Sequence, residues 1–449
     1  MRRVAIVGSG IVGLVAAHAL RRLGVEVTLY SDRTGEQWLN ESRPTGTAAR
    51  FDLALSVERA LGLNHWDADA PQGQGVFLTF CPTVQNRLVR LYGRMARPFQ
   101  AVDMRLQCHR WMNDFDGRLI IESVSTGRLD DIAAEHDLTI VAAGRAELSG
   151  LFPRDDARST YDAPQRNLAM IITAGGQMAV DSVPFLPVRF EFLGTDGEVF
   201  FIPYWHKDQG PTWNILFEAR PGSRMDRFTK ATSGDEVLSI GKAVMQDLFP
   251  WNSDWMAPMR LADRNGWLTG RVTPMVRRPV GRLASGRLVT ALGDTAISFD
   301  PIAAQGANTG VKHARHLADA IFSRGDAPFD EAWMTATFDT FWHEHGQWAD
   351  RFSNLLLEPI TAPAKELLIA QYGSDGMPGN EGGRQRIADA FFANFNDPRL
   401  LTESFLDMQK ARLFIKRTTG RPWLLSAARG RAAIARGHLA RMVGQSLVD

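Results

Sequence analysis

The order of hydrophobic and polar positions divides the chain into elements of two periods. Val4 to Val7 is a short unbroken apolar run, the pattern of a strand buried on both faces. Leu14 to Leu23 returns its apolar residues at helical spacing and stops at Gly24. Val25 to Tyr30 reads as a second strand, and Asp137 to Val141 and Arg287 to Leu292 repeat the buried-strand pattern. In the middle of the chain, Val188 to Phe192, Val199 to Ile202 and Thr212 to Phe217 alternate at period two. That predicts an antiparallel sheet with one buried face. Thr309 to Phe322 is helical in character. Residues 326–449 are mainly so, punctuated by Pro359, Pro363, Pro378, Pro398 and Pro422 and by a turn-rich stretch from Gly376 to Gly383.

The chemistry lies at the junctions. Gly8-Ser9-Gly10-Ile11-Val12-Gly13 joins the first strand to the first helix, so G-x-G-x-x-G stands inside a complete β-α-β unit. Such a turn brings backbone N–H groups and a helix N-terminus up to a pyrophosphate. Asp32, preceded by Ser31, follows at the distance of a ribose-binding carboxylate. The alternative is a tight α/β turn with no dinucleotide. Near residue 290 a strand runs into Gly293-Asp294, then Phe299-Asp300-Pro301, then Gln305-Gly306-Ala307-Asn308 at a helix start. Alone, Asp294 would read as an ordinary helix-capping residue.

Composition narrows the class. The chain has 449 residues, 45% hydrophobic and 22% charged, which excludes a disordered chain or a coiled coil. Lys and Arg number 51 against 50 Asp and Glu, so no global charge draws it to nucleic acid. Two cysteines, Cys81 and Cys108, exclude a disulfide scaffold and fit a reducing, cytoplasmic location. No apolar run reaches membrane-spanning length, and the N-terminal arginines precede a glycine-broken run rather than a signal peptide. His313 with His316 and His343 with His345 lack ligand partners at metal spacing. They read as exposed or locally hydrogen-bonded helix residues, and no metal is expected. The final forty residues carry nine Lys or Arg and one acidic residue, Asp449. A solvated helical tail is the plainer reading. Docking to a reductase, to the chain's own acidic body or to an anionic membrane surface is the sharper one.

The paired Gly-rich and Gly-Asp motifs resemble FAD-dependent aromatic hydroxylases. Several segments then resemble the styrene and indole monooxygenases more closely: Val27 to Arg33 with Leu39-Asn40, Ala101 to Leu106, Ala163 to Arg166, Leu292 to Asp294, Asp300 to Asn308, and Asn394 to Pro398. Gln37 stands where that family often has arginine, and Gln107-Cys108-His109 and the 42–50 stretch also depart from it. The W-x-W-x-I-P motif of flavin halogenases is absent.

The resemblance implies a glutathione-reductase-type Rossmann FAD-binding fold. Residues 1–165 and 275–325 would form a discontinuous FAD domain, 166–274 an inserted antiparallel-sheet substrate domain, and 326–449 a helical C-terminal region. It implies FAD held by Gly8, Gly10, Ile11, Val12, Gly13, Ser31, Asp32, Asn40, Arg105, Val124, Ala143, Gly144, Gly293, Asp294, Pro301, Gln305, Gly306, Ala307 and Asn308. Asn40, Pro301, Ile302, Phe190 and Trp205 would face flavin or substrate, with Phe192 and Trp213 as further aromatic candidates. It also implies an oxygenase component that receives reduced FAD from a separate NADH-dependent flavin reductase. With O₂ the reduced FAD would give a C4a-(hydro)peroxyflavin, which epoxidises or hydroxylates a small aromatic substrate. A homodimer is compatible with this. Two other readings stay open: a single-component NAD(P)H-dependent hydroxylase, which Ala143-Gly144 without a preceding aspartate disfavours, and a flavin-binding protein without catalysis.

Overall fold

The computed structural model describes residues 2–81, 89–144, 146–180, 183–374 and 385–442. Two sheets organise it. The first has six strands in the order Val280–Arg282, Leu288–Ala291, Leu138–Val141, Arg3–Val7, Glu26–Ser31 and Arg118–Ile121. All neighbours are parallel except the antiparallel edge pair Val280–Arg282 and Leu288–Ala291. Arg3–Val7 is central, so Val4, Ala5 and Ile6 are wholly buried, as their unbroken apolar run requires. Helix Ile11–Arg22 packs its apolar stripe on this sheet and against helix Gln305–Arg324. This is the Rossmann-type FAD-binding fold that the motifs imply.

The second sheet is larger. Its path is Arg260–Leu261, Asn167–Ala174, Gly210–Ala219, Gly197–His206, Pro187–Leu193, Gly73–Cys81, Val89–Ala101 and Ala49–Arg50, with Trp267–Arg271 also paired to Asn167–Ala174. The period-two segments all lie here. The sheet also reaches outside 166–274, because Gly73–Cys81 joins Pro187–Leu193 in parallel and Val89–Ala101 pairs beside it. Three arginines, Gly93 and Pro98 in Val89–Ala101 mask its alternation.

Helices from Glu331 to Met442 close one side. The basic final helix, Trp423–Met442, packs on helix Ala362–Ser374. A Cβ on Gly430 would fall 1.8 Å from the Ile369 carbonyl oxygen, so the helices touch backbone to backbone. Arg412 stacks on Trp423 at 3.9 Å, and Lys410 pairs with Glu403. The described part of the tail therefore lies on the chain's own body. Among the described residues no helix is long and apolar enough to cross a membrane, and no cluster could hold a metal. One expectation is corrected here. His313 is not exposed: it is buried, stacked on Phe341 at 4.4 Å, and burial beside His316 lowers its pKa to about 3.

Asp350, on helix Gln347–Leu357, yields a stability prediction. Burial pushes its carboxyl up to about 7, although the Asn354 amide donates to it at 3.1 Å. A raised carboxyl favours the folded state while protonated, so its contribution is present below about pH 4 and is lost as pH rises to about 7. Asp350→Asn is expected to raise Tm at pH 8 and to leave it unchanged at pH 4, read by thermal melts across that range.

Candidate cofactor site

Gly8 and Gly13 let the first strand and helix meet. Gly8 has φ +120°, and a Cβ there would lie 2.5 Å from the Ala142 carbonyl oxygen. A Cβ on Gly13 would lie 1.9 Å from the Gly8 oxygen. Gly10 differs. A Cβ there would meet nothing within 4 Å, because Gly10 faces a cavity of about 650 Å³.

The cavity is framed by two helix N-termini. Gly10 and Ile11 begin one, and Ala304, Gly306 and Ala307 begin the other. The unpaired N–H groups and the positive dipole ends of both helices favour an anion or a developing negative charge there. Tyr30, Asp32, Val124, Ala142, Ala143 and Gly144 form one side. Asp32 pairs with Arg33 at 2.8 Å and still borders the cavity. Asp294 is enclosed by protein and open to the cavity. Burial raises its carboxyl above the usual range against the opposing pull of Arg277. Gly306 lies beside it, its Cβ position 3.7 Å from Oδ1. The opposite wall is the larger sheet, through Leu168, Met170, Leu216 and Leu268.

Two alanines are left-handed, Ala48 at φ 57° and Ala304 at φ 51°, and they are the non-glycine residues with positive φ among those described. Both border this cavity. Such backbone costs of order 1 kcal/mol or more per residue, and it gathers at sites where geometry is held for a ligand. Ala304 places the start of helix Gln305–Arg324, and Asn308 ties that start to the 45–50 loop. Its amide nitrogen donates to the Ala49 oxygen at 2.8 Å, and its oxygen accepts from the Phe51 N–H at 2.8 Å.

The cavity brings together Gly8, Gly10, Ile11, Val12, Asp32, Val124, Ala143, Gly144, Asp294, Pro301, Gly306 and Ala307 of the sequence-derived set. The others stand elsewhere, each for a physical reason. Gly13 packs under the turn. The Ser31 hydroxyl is buried in a hydrogen bond with Ser9 at 2.6 Å. Gly293 packs on Val12. Gln305 donates to the Ala303 and Phe395 carbonyls, each at 2.9 Å, and Ile302 is core.

Asn40 is exposed and donates to Glu36 at 3.1 Å. Helix Gly35–Asn40 starts with a capping box between Thr34 and Gln37, which turns Trp38 rather than Asn40 toward the cavity. Arg105 is corrected most sharply. Its guanidinium is fully buried between Asp103, at 2.7 Å, and Asp263, at 2.8 Å, away from the cavity. Burial opposes ionisation of Asp263, yet hydrogen bonds from His206 and Arg105 hold it well below the usual carboxylate range. Phe190 and Phe192 border a second chamber, Trp205 is half-buried at a strand end outside both, and Trp213 is core. The 42–50 stretch, expected near flavin and substrate, contributes Thr45 to Arg50 to the cavity wall, but nothing in the sequence marks Ala48 as left-handed.

The donor set fits FAD: N–H groups at two helix starts, the Asp32 and Asp294 carboxylates in the lining, and apolar side chains of the larger sheet. Comparison with known proteins agrees. Residues 144–254 match the family described as styrene monooxygenase A putative substrate binding domain, and residues 6–67 match the NAD(P)-binding Rossmann-like domain. Styrene monooxygenase StyA of Pseudomonas fluorescens is 25% identical over 422 residues, covering 90% of this chain and 95% of that protein. StyA of an unspecified Pseudomonas gives the same identity and coverage. Among solved structures, a flavoprotein/dehydrogenase of Cytophaga hutchinsonii has a TM-score of 0.61 at 11% identity, covering 93% of this chain and 99% of its own. A triple mutant of the flavin-dependent brominase Bmp2 has a TM-score of 0.59 at 15% identity, covering 93% and 98%. These two show the shared fold. The chain is styrene monooxygenase-like, with FAD as its cofactor, and the function supported at this level is that of a flavin-dependent monooxygenase.

Proposed function

We propose that this styrene monooxygenase-like chain is the oxygenase half of a two-component system. It takes reduced FAD from a separate NADH-dependent flavin reductase and, with O₂, epoxidises or hydroxylates a small neutral aryl substrate of the styrene or indole type. The observation that carries this is the meeting of one dinucleotide-type cradle with an apolar sheet wall, Met170, Leu216 and Leu268, in a single cavity.

FAD, when bound, supplies the oxygen-activating redox chemistry. The chain supplies position and a dry environment. Gly8 and Gly10 leave the backbone open to a pyrophosphate, and Asp32 and Asp294 offer acceptors to sugar and ribityl hydroxyls. The start of helix Gln305–Arg324 favours negative charge at the ring end. The leucines and methionine opposite exclude water and orient an arene. Oxygen transfer of this kind asks for no protein nucleophile.

The protein mixed with chemically reduced FAD, O₂ and styrene, without reductase or NADH, is expected to yield styrene oxide, measured by chiral gas chromatography. No oxygenated product from styrene, indole or thioanisole would overturn the reading. Product formation from NADH and oxidised FAD with this protein alone would replace it with the single-component one.

A further inference from the structure

The larger sheet carries a continuous apolar row on the face that walls the cofactor cavity. Leu268 pairs with Met170, Met170 with Leu216, Leu216 with Phe200, Phe200 with Phe190 and Phe190 with Leu78. Directly paired residues point to the same face, so the six side chains form one seam across five adjacent strands and Trp267–Arg271. Its first three members border the cofactor cavity, and its last two border a second, apolar chamber of about 110 Å³. Phe200 lies between, stacked on Phe190 at 4.2 Å.

The chamber lies between the sheet and the C-terminal helices. Phe80 and Phe192, stacked at 5.0 Å, face Leu367, Phe391 and Leu401. Its few polar groups are turned to the protein. The Gln371 oxygen accepts from the Ile387 and Ala388 N–H groups at 3.1 and 3.0 Å, the Thr361 hydroxyl donates to the Phe405 carbonyl, and Glu358 accepts from the Tyr161 hydroxyl at 2.7 Å. The Gln371 amide nitrogen alone among these groups has no partner. A cavity walled this way stays dry and takes neutral apolar molecules. A leucine-, isoleucine- and phenylalanine-lined cavity of about 150 Å³ holds one benzene ring, so an arene enters this smaller chamber with some widening at its half-exposed rim.

We propose that this chamber is a holding site for a small neutral arene on its way to the cofactor cavity, with the Phe190–Phe200 stack as the partition between the two. The assignment rests on the aryl-oxygenase reading above and adds a second place for the same substrate class. The substrate enters by partitioning from water into an apolar pocket, and rotation of Phe200 joins the two spaces.

The probe is 4-fluorostyrene, observed by ¹⁹F NMR with oxidised FAD present and no reductant, so nothing turns over. Wild-type protein is expected to shift and broaden the line. Ala364→Phe, which fills the chamber from helix Ala362–Ser374, is expected to weaken binding at least about tenfold, the scale of excluding one ring from an apolar site. FAD affinity stays unchanged. In turnover the same variant raises KM for styrene and leaves kcat near wild type. Phe200→Ala is expected to admit 4-vinylbiphenyl, which wild type excludes. Should Ala364→Phe fail to fold by circular dichroism, Ile360→Phe, at the half-exposed rim, takes its place. Unchanged fluorostyrene binding and KM in the chamber-filled variant would overturn the proposal. Chamber-dependent binding in a protein that oxygenates no aryl substrate would support the holding site and sink the function reading, so the two fail separately.

Discussion

Gly10→Ala is expected to weaken FAD binding strongly while leaving the fold intact, and Gly13→Ala to lose both. The contrast follows from where each new methyl would go. At Gly13 it meets the Gly8 carbonyl at 1.9 Å, a backbone atom that cannot rotate aside. The strand and helix must separate, at a cost at or above the upper end of the about 1–3 kcal/mol typical of overpacking. At Gly10 the backbone is already extended, φ −72° and ψ 177°, and the methyl enters open cavity. Stability changes there by less than about 1 kcal/mol, the scale of a helix N-cap exchange. A ligand phosphate held on the Ile11 helix start would be displaced by the methyl and lose its backbone N–H contacts. Flavin fluorescence titration and urea unfolding on both variants measure the two quantities. Equal FAD affinity in Gly10→Ala and wild type would remove the dinucleotide from this turn.

Arg105→Met is expected to destabilise the protein by about 3–5 kcal/mol, the cost of leaving buried carboxylates without their counter-charge. Both Asp103 and Asp263 lose their bidentate partner, and the Asp103 side chain has no exposure. Asp263 also anchors the chain through the Asn265 N–H at 2.8 Å and His206 at 2.6 Å. Asp263 gives a sign for pH as well. A carboxyl held low in the folded state adds stability above about pH 4, and that stability is lost as pH falls through its folded value, so wild type and variant converge in strong acid. Urea midpoints at pH 7 and pH 3 measure the onset of this narrowing. A variant that unfolds like wild type at pH 7, yet binds FAD poorly, would return Arg105 to the cofactor.

These two residues also mark how far the sequence could be read. Gly8, Gly10 and Gly13 sit in a local β-α-β unit, and local spacing carries their placement because strand, turn and helix are contiguous. Asp294 was legible for the same reason, a strand running into Gly-Asp. Arg105 was not, because its second partner lies 158 residues away and only the folded sheet brings Asp263 to it. Asn40 failed on a signal that was present: Thr34 and Gln37 have capping-box spacing, which fixes the helix phase and turns Trp38 inward. Phe190 was read as part of a sheet with one buried face, whereas its strand is buried on both, and period two gives the face and not the position along the row. Its neighbours in the sheet decide that it borders the second chamber.

The order in which the cavity acquires its walls has a consequence for the newborn chain. Residues 7–12, 30–50, 142–144, 168–170, 268–272 and 294–307 each contribute, so no continuous fragment shorter than about two thirds of the chain contains the site. Its central strand emerges first, yet one neighbour, Leu138–Val141, follows more than a hundred residues later, and the strand beyond it, Leu288–Ala291, later still. During synthesis at about 5–20 residues per second, Arg3–Val7 waits many seconds for the partners that bury it. The apolar run that makes the strand legible keeps one edge unpaired in that interval, and a nascent chain halted before residue 307 has no completed place for flavin.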